Sequence, residues 1–141
     1  MIVRSYMISD YEQLAALYKQ SDLYGGQYDE NRDSRERLQK RIEADSDALL
    51  VAEKNGRIVG TVSLIEDGRV AWLFRFCVTD GEDDIAKALL DNALEALRKK
   101  GHRQVLVYTP VGNENLNSRY EKLGFTKGGD YTCFWKDIAA L

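Results

Sequence analysis

Arg75 is a cation inside the apolar run Val70–Val78, and a buried guanidinium needs a partner. Two partners would suit it: an internal carboxylate, or an anionic group on a substrate. His102 is the sole histidine and sits in the charged stretch Lys99-Lys100-Gly101-His102-Arg103. A Ser-His-Asp or Cys-His device would depend on it, but the stretch reads as a solvated turn. Cys77 and Cys133 lie in apolar, strand-like runs and read as two buried thiols, although Cys77 could also carry an acyl group as a nucleophile. A zinc site would need both cysteines, His102 and a fourth ligand, and no spacing resembles one. Asp80, Glu82, Asp83 and Asp84 crowd one helix start, where carboxylates suit the helix dipole.

The elements that carry these residues follow from periodicity and turn chemistry. Ile2–Tyr6 alternates as a short strand. Ser9-Asp10-Tyr11-Glu12 reads as a capping box, with Leu14, Leu17 and Tyr18 at helical spacing behind it. Gly25-Gly26 punctuates a loop. Asp33 and Glu36 read as a second cap, before the stripe Leu38 and Ile42. Ala48–Glu53 and Arg57–Ile65 flank Lys54-Asn55-Gly56, a hairpin turn signal. Val70, Trp72, Phe74, Phe76 and Val78 fall on one face of the next strand, with Ala71, Leu73, Arg75 and Cys77 on the other. Both faces are mostly apolar, as in a central strand. Thr79 to Gly101 has the clearest helical period, through Ile85, Leu89, Ala93 and Leu97. Gln104–Thr109 is a further strand. Asn113 or Asn115 caps a last helix with Leu116, Tyr120 and Leu123 on one face and Gly124 at its end. Phe125-Thr126 and Tyr131–Lys136 read as closing strands.

The order is β-α-α-β-β-β-α-β-α-β-β, with a right-handed crossover expected around residues 70–109. It implies an α/β fold: a mixed, mostly antiparallel sheet of about six or seven strands, flanked by about four helices. At 141 residues the chain is expected to form one domain spanning 1–141. Twenty basic against 23 acidic residues give a net charge of −3, which argues against nucleic-acid binding. No long apolar run marks a membrane span. A cytoplasmic protein is expected.

The element order resembles the GCN5-related N-acetyltransferase (GNAT) family along essentially the whole chain. The most specific motif is Asn113 followed by a helix ending Tyr120-Glu121-Lys122-Leu123-Gly124-Phe125. The family's pyrophosphate loop, Arg/Gln-x-x-Gly-x-Gly/Ala, aligns with Gly81-Glu82-Asp83-Asp84-Ile85-Ala86. Ala86 fits. Gly81 stands where the basic or amide residue belongs, and Asp84 where the first glycine belongs. The loop therefore brings carboxylates to a phosphate position, at a helix start that otherwise favours anions.

The resemblance implies direct acetyl transfer from acetyl-CoA, as co-substrate, to a primary amine of a small molecule or peptide. It implies backbone contacts from Phe76, Cys77 and Val78 to the acetyl and pantetheine groups. Asp84, Ile85, Ala86 and Lys87 would meet the pyrophosphate, with Asn113 and Tyr120 also at the cofactor. Tyr120 would be the acid that protonates the departing thiolate. Glu53, Glu66 and Asp67 are carboxylates near strand ends where a base could work through water. Substrate selection would fall to the segment between the first two helices, with Tyr24 and Tyr28, and to Arg75. Aromatic faces there suit a cationic amine. The resemblance also implies a homodimer through the closing strands. Alternative readings are a non-catalytic binding or protein-interaction module on the same fold, with its cofactor loop lost, and an antiparallel dimer module without a ligand.

Overall fold

The computed structural model describes residues 1–20, 28–79 and 83–139. They fall into two compact units, Met1–Thr109 and Pro110–Leu141.

The first unit is built on four strands: β1 (Ile2–Ser5), β2 (Leu49–Lys54), β3 (Arg57–Glu66) and β4 (Ala71–Val78). They pair antiparallel in the order β1-β2-β3-β4. The β2–β3 hairpin turns through Asn55 (φ 53°) and Gly56 (φ 75°), the two left-handed residues that a two-residue turn requires. Helices α1 (Tyr11–Gln20) and α2 (Arg35–Ala44) precede β2, and α3 (Asp83–Lys99) follows β4. No helix among the described residues is long and apolar enough to cross a membrane.

The capping expected at the first two helices lies elsewhere. A short 3-10 helix, Ile8–Asp10, leads into α1. The Met7 N–H donates to Asp10 Oδ2 at 3.0 Å, so Asp10, two residues before Glu12, reaches back. Glu12 instead pairs with Arg35. Ser34, not Asp33, caps α2, accepting from the Arg37 N–H at 3.3 Å. Asp33 is drawn inward by a stronger partner.

Each face of the sheet is covered. On one, Leu14, Leu17, Tyr18 and Leu38 of α1 and α2 pack with Leu49, Val51, Ile58 and Cys77. On the other, Gly60 lets α3 approach. A Cβ at Gly60 would lie 2.8 Å from both Ile85 Cγ2 and Leu89 Cδ1, and 3.2 Å from the Cys77 carbonyl oxygen. Gly60→Val is expected to cost about 1–3 kcal/mol by overpacking. Urea unfolding of the variant checks this through its midpoint.

β1 is fastened to the 3-10 turn and to β2 by Arg4. Its guanidinium bonds Asp10 at 2.8 and 2.9 Å and Glu53 at 2.9 Å. Burial alone would raise the Asp10 carboxyl, but hydrogen bonds from Arg4 and the Met7 N–H outweigh it and hold the group below its ordinary range. A depressed folded-state pKa stabilises above the unfolded value, about 3.9 for Asp, and that stability disappears as pH falls through the folded value. Asp10→Asn is therefore expected to flatten the loss of stability below about pH 4. Unfolding midpoints from pH 5 downward, at about half-unit steps, measure it.

The expected six or seven strands reduce to four among the described residues. Residues 104–109 run parallel to β4 but form a single bridge, Trp72 to Leu106. Leu73 N–H donates to the Leu106 carbonyl at 3.0 Å, and Leu106 N–H to Ala71 at 2.9 Å. The Trp72 and Tyr108 rings lie 4.5 Å apart beside it. β4 is the last strand of the antiparallel order and has residues 104–109 along its other edge.

The second unit holds α4 (Glu114–Lys122). The Asn113 side chain caps it, accepting from the Leu116 N–H at 3.0 Å, and Gly124 follows its end at φ 97°. Phe125 and 131–136 form no strand. Their alternation has no ladder to join, because the unit has no sheet of its own among its described residues. Cys133, Phe134 and Trp135 are exposed as a result. Cys133 is therefore not the buried thiol its pattern implies, whereas Cys77 is.

Candidate functional site

β4 breaks its own alternation. Ser63 and Thr61 of β3 lie two apart and so share a face, yet they pair with Phe74 and Cys77, three apart. One residue too many sits between them, which defines a bulge. Phe74 consequently shares a face with Cys77, not with Val78 as alternation predicts. Arg75 takes up the irregularity at φ 50°. That conformation costs a non-glycine residue about 1–3 kcal/mol, and such strain concentrates at functional sites.

A side chain holds it there. Arg75 Nε donates to Asp33 Oδ1 at 3.1 Å, and Nη2 lies 2.9 Å from Oδ2. Both side chains are almost fully buried, 7% and 3% exposed. The guanidinium also lies over the Phe74 ring at 4.5 Å. Of the two partners open to Arg75, the internal carboxylate is the one present. Asp33 itself was missed as a site residue, since beside Ser34 it reads as a cap.

The bulge is followed by Phe76, Cys77 and Val78, all buried. The Cys77 thiol packs among the side chains of the α1–α2 face and is inaccessible as an acyl-carrying nucleophile. At the other end of the connection, α3 begins with Asp83 and Asp84, both exposed. Ile85 and Ala86 are buried, so a ligand at this turn would meet backbone N–H groups, which have no partners within the helix. Lys87 is exposed and pairs with Asp91 at 2.7 Å. Asp80, Gly81 and Glu82 lie outside the described residues, as does Tyr24.

Tyr28 is described, and its ring already carries a cation: Lys19 Nζ stands 4.6 Å from its centroid. Its hydroxyl lies 3.5 Å from that of Tyr11, which donates to the Asp33 carbonyl at 2.8 Å. A cavity of about 520 Å³ opens near the end of β4, lined by Gln13, Gln20, Arg57 and Thr79 among others. None of these four was singled out by type or spacing.

The carboxylates near strand ends are all engaged. Glu53 pairs with Arg4. Glu66 bonds His102 Nε2 at 2.8 Å, which lowers its pKa. Asp67 is held down at about 2, chiefly by the Arg69 side chain. Glu66 and Asp67, stabilised in this way as anions, are weakened as bases. His102 is not a solvated turn residue: its side chain is 5% exposed, and Glu66 supplies the partner that draws it in.

In the second unit, Asn113 and Tyr120 both belong to α4, as the N-cap and a buried residue of its last turn. The Tyr120 ring meets Phe125 edge-on at 5.3 Å.

The likeness to known proteins agrees with this architecture. A PaiA N-acetyltransferase from Thermoplasma acidophilum, solved with coenzyme A, is 25% identical, with a TM-score of 0.72 over 86% of each chain. An aminoglycoside 6′-N-acetyltransferase from Acinetobacter haemolyticus has a TM-score of 0.75 at 14% identity, over 98% of this chain and 99% of its own. A ribosomal-protein-alanine N-acetyltransferase from Brucella melitensis has a TM-score of 0.71 at 20% identity, over 92% of this chain and 86% of its own. These last two share the fold. The sequence model of the acetyltransferase (GNAT) domain matches residues 10–135, nearly the whole chain, and on that match this protein belongs to the GNAT acetyltransferase family.

Proposed function

We propose that the protein transfers an acetyl group from acetyl-CoA to a primary amine, of a small molecule or a peptide. The observation that carries this reading is the bulge at Arg75, where β4 breaks register just before the connection to α3 in a chain of this family. A bulge re-aims backbone and side chains, and bulges recur next to active sites. The coenzyme A complex of the Thermoplasma relative supports an acyl-CoA ligand. The non-catalytic alternative gains no support from these likenesses.

In this reading the N–H groups of residues 76–78 flank the thioester and stabilise the oxyanion. The start of α3, where the Asp84 and Ile85 N–H groups have no partner within the helix and Ala86 and Lys87 follow, faces the pyrophosphate. Asp83 and Asp84 are exposed there, so water screens their repulsion. Asn113 adds a polar contact to the cofactor, and the amine approaches from the side of Tyr28, displacing Lys19 from its ring. The amine must be neutral to attack, although a lysine-like amine ionises near 10.4. Its nitrogen bonds the acetyl carbon, the carbon–sulfur bond breaks, and Tyr120 gives its hydroxyl proton to the thiolate, while the proton shed by the attacking nitrogen passes to water, from which the tyrosinate is reprotonated. A cytoplasmic setting and a homodimer belong to the same reading.

The test is thiol release from acetyl-CoA in the presence of a polyamine, a lysine peptide or an aminoglycoside. Amine-dependent release is the expected result. Release at the buffer rate with every amine class would count against the reading.

A further inference from the structure

We propose that Arg75 and Asp33 are a positioning pair for acyl transfer, which holds the bulge of β4 against the segment leading into α2. The proposal rests on the acetyltransferase reading above. Neither residue touches substrate; the pair acts through the backbone on either side of it.

Its geometry goes beyond what a stabilising ion pair requires. A left-handed position in a bulge is met at least cost by glycine, but glycine has no side chain to reach Asp33. Arginine supplies a planar fork that engages both carboxylate oxygens. Asp33 is also fully used. Oδ1 accepts from Arg75 Nε, and Oδ2 lies 2.9 Å from Arg75 Nη2 and accepts, at 2.8 Å, from the Asp29 N–H. The carboxylate that grips the bulge thus closes the turn 29–33, which a bond from Asp33 N–H to the Asp29 carbonyl completes at 2.8 Å.

The turn is tied onward through Tyr11 to Tyr28. A continuous set of polar contacts therefore runs from the Tyr28 ring to residue 75, immediately before residues 76–78. It joins segments 42 residues apart in the chain. Apolar packing would stabilise such a junction equally well; what the ion pair adds is fixed orientation. The amine-facing segment and the thioester-facing strand are held as one piece. Without the pair, the strand loses its setting for the thioester arm, whereas the start of α3 keeps its N–H groups for phosphate.

The double variant Asp33→Asn with Arg75→Asn removes both charges together. Asparagine tolerates the left-handed conformation, and the amide oxygen at position 33 can still accept from the Asp29 N–H. Calorimetry compares acetyl-CoA with 3′,5′-ADP, which has phosphates but no thioester arm. The expected result is acetyl-CoA binding weakened about tenfold or more, as small misplacements bring, with 3′,5′-ADP affinity unchanged. Equal changes for both ligands, or no change in either, overturn the proposal and leave the pair merely structural. Should the double variant not fold, Arg75→Lys keeps a charge on Asp33 without the fork, and the same criteria apply to its smaller loss. Wild-type protein that binds neither ligand overturns the acetyltransferase reading and the proposal with it. Wild-type binding with an unaffected variant overturns the proposal alone.

Discussion

Asp33→Ala is expected to lower the unfolding free energy by about 3–5 kcal/mol, because it leaves the Arg75 guanidinium buried without its carboxylate. The Asp29 N–H loses its acceptor in the same step. A loss of this size removes a large part of the stability of a small domain. Urea unfolding followed by far-UV circular dichroism measures it. Neutralising both partners together should cost far less, since no charge is then stranded. The contrast between the single and double variants is the informative quantity. A single variant within about 1 kcal/mol of wild type would mean that water reaches Arg75 and the pair is not sealed.

Tyr120→Phe is expected to reduce kcat by about 10²–10⁴-fold, the usual range for a lost general acid. The amine KM should change little, because the ring and its edge-on contact with Phe125 are kept. Folding should be preserved for the same reason. The alkaline limb of the kcat profile should also disappear, since it reports ionisation of the acid in the complex. Unchanged turnover would remove Tyr120 from its assigned role. An equal loss of kcat and stability would show that the hydroxyl is structural.

The legible parts of the molecule were those set by local chemistry. Asn55-Gly56 announces its turn, Gly101 and Gly124 follow their helices at positive φ, and Asn113 caps α4 as its spacing implies. Leu89, Ala93 and Leu97 give α3 its buried face. The illegible parts depend on partners distant in the chain. A bulge adds one residue to a strand without changing its composition, so Val70 to Val78 reads as unbroken alternation. Residues 131–136 have strand composition, but composition does not supply a neighbouring edge. His102 looks like a surface residue until Glu66, 36 positions away, is brought to it.

The site divides in the same way. Arg75 could be picked out from type and burial alone, and the need for a partner follows from electrostatics. Which carboxylate answers it cannot be read from spacing, because Asp33 lies 42 residues earlier beside a good helix cap. The run 76–78 and the start of α3 were legible only through the family resemblance. The structure adds the bulge before them and shows that Ile85 and Ala86 point into the core, so only backbone at those two positions can face a ligand.

Calorimetric titration of the wild-type protein with acetyl-CoA tests the proposed function most directly. Desulfo-CoA and 3′,5′-ADP serve as controls, at low and at physiological salt. Micromolar binding of acetyl-CoA is the predicted result, with weaker binding of 3′,5′-ADP as the strand contacts are lost. No heat even at millimolar acetyl-CoA would contradict it, and would mean that the carboxylates at the start of α3 exclude the phosphates.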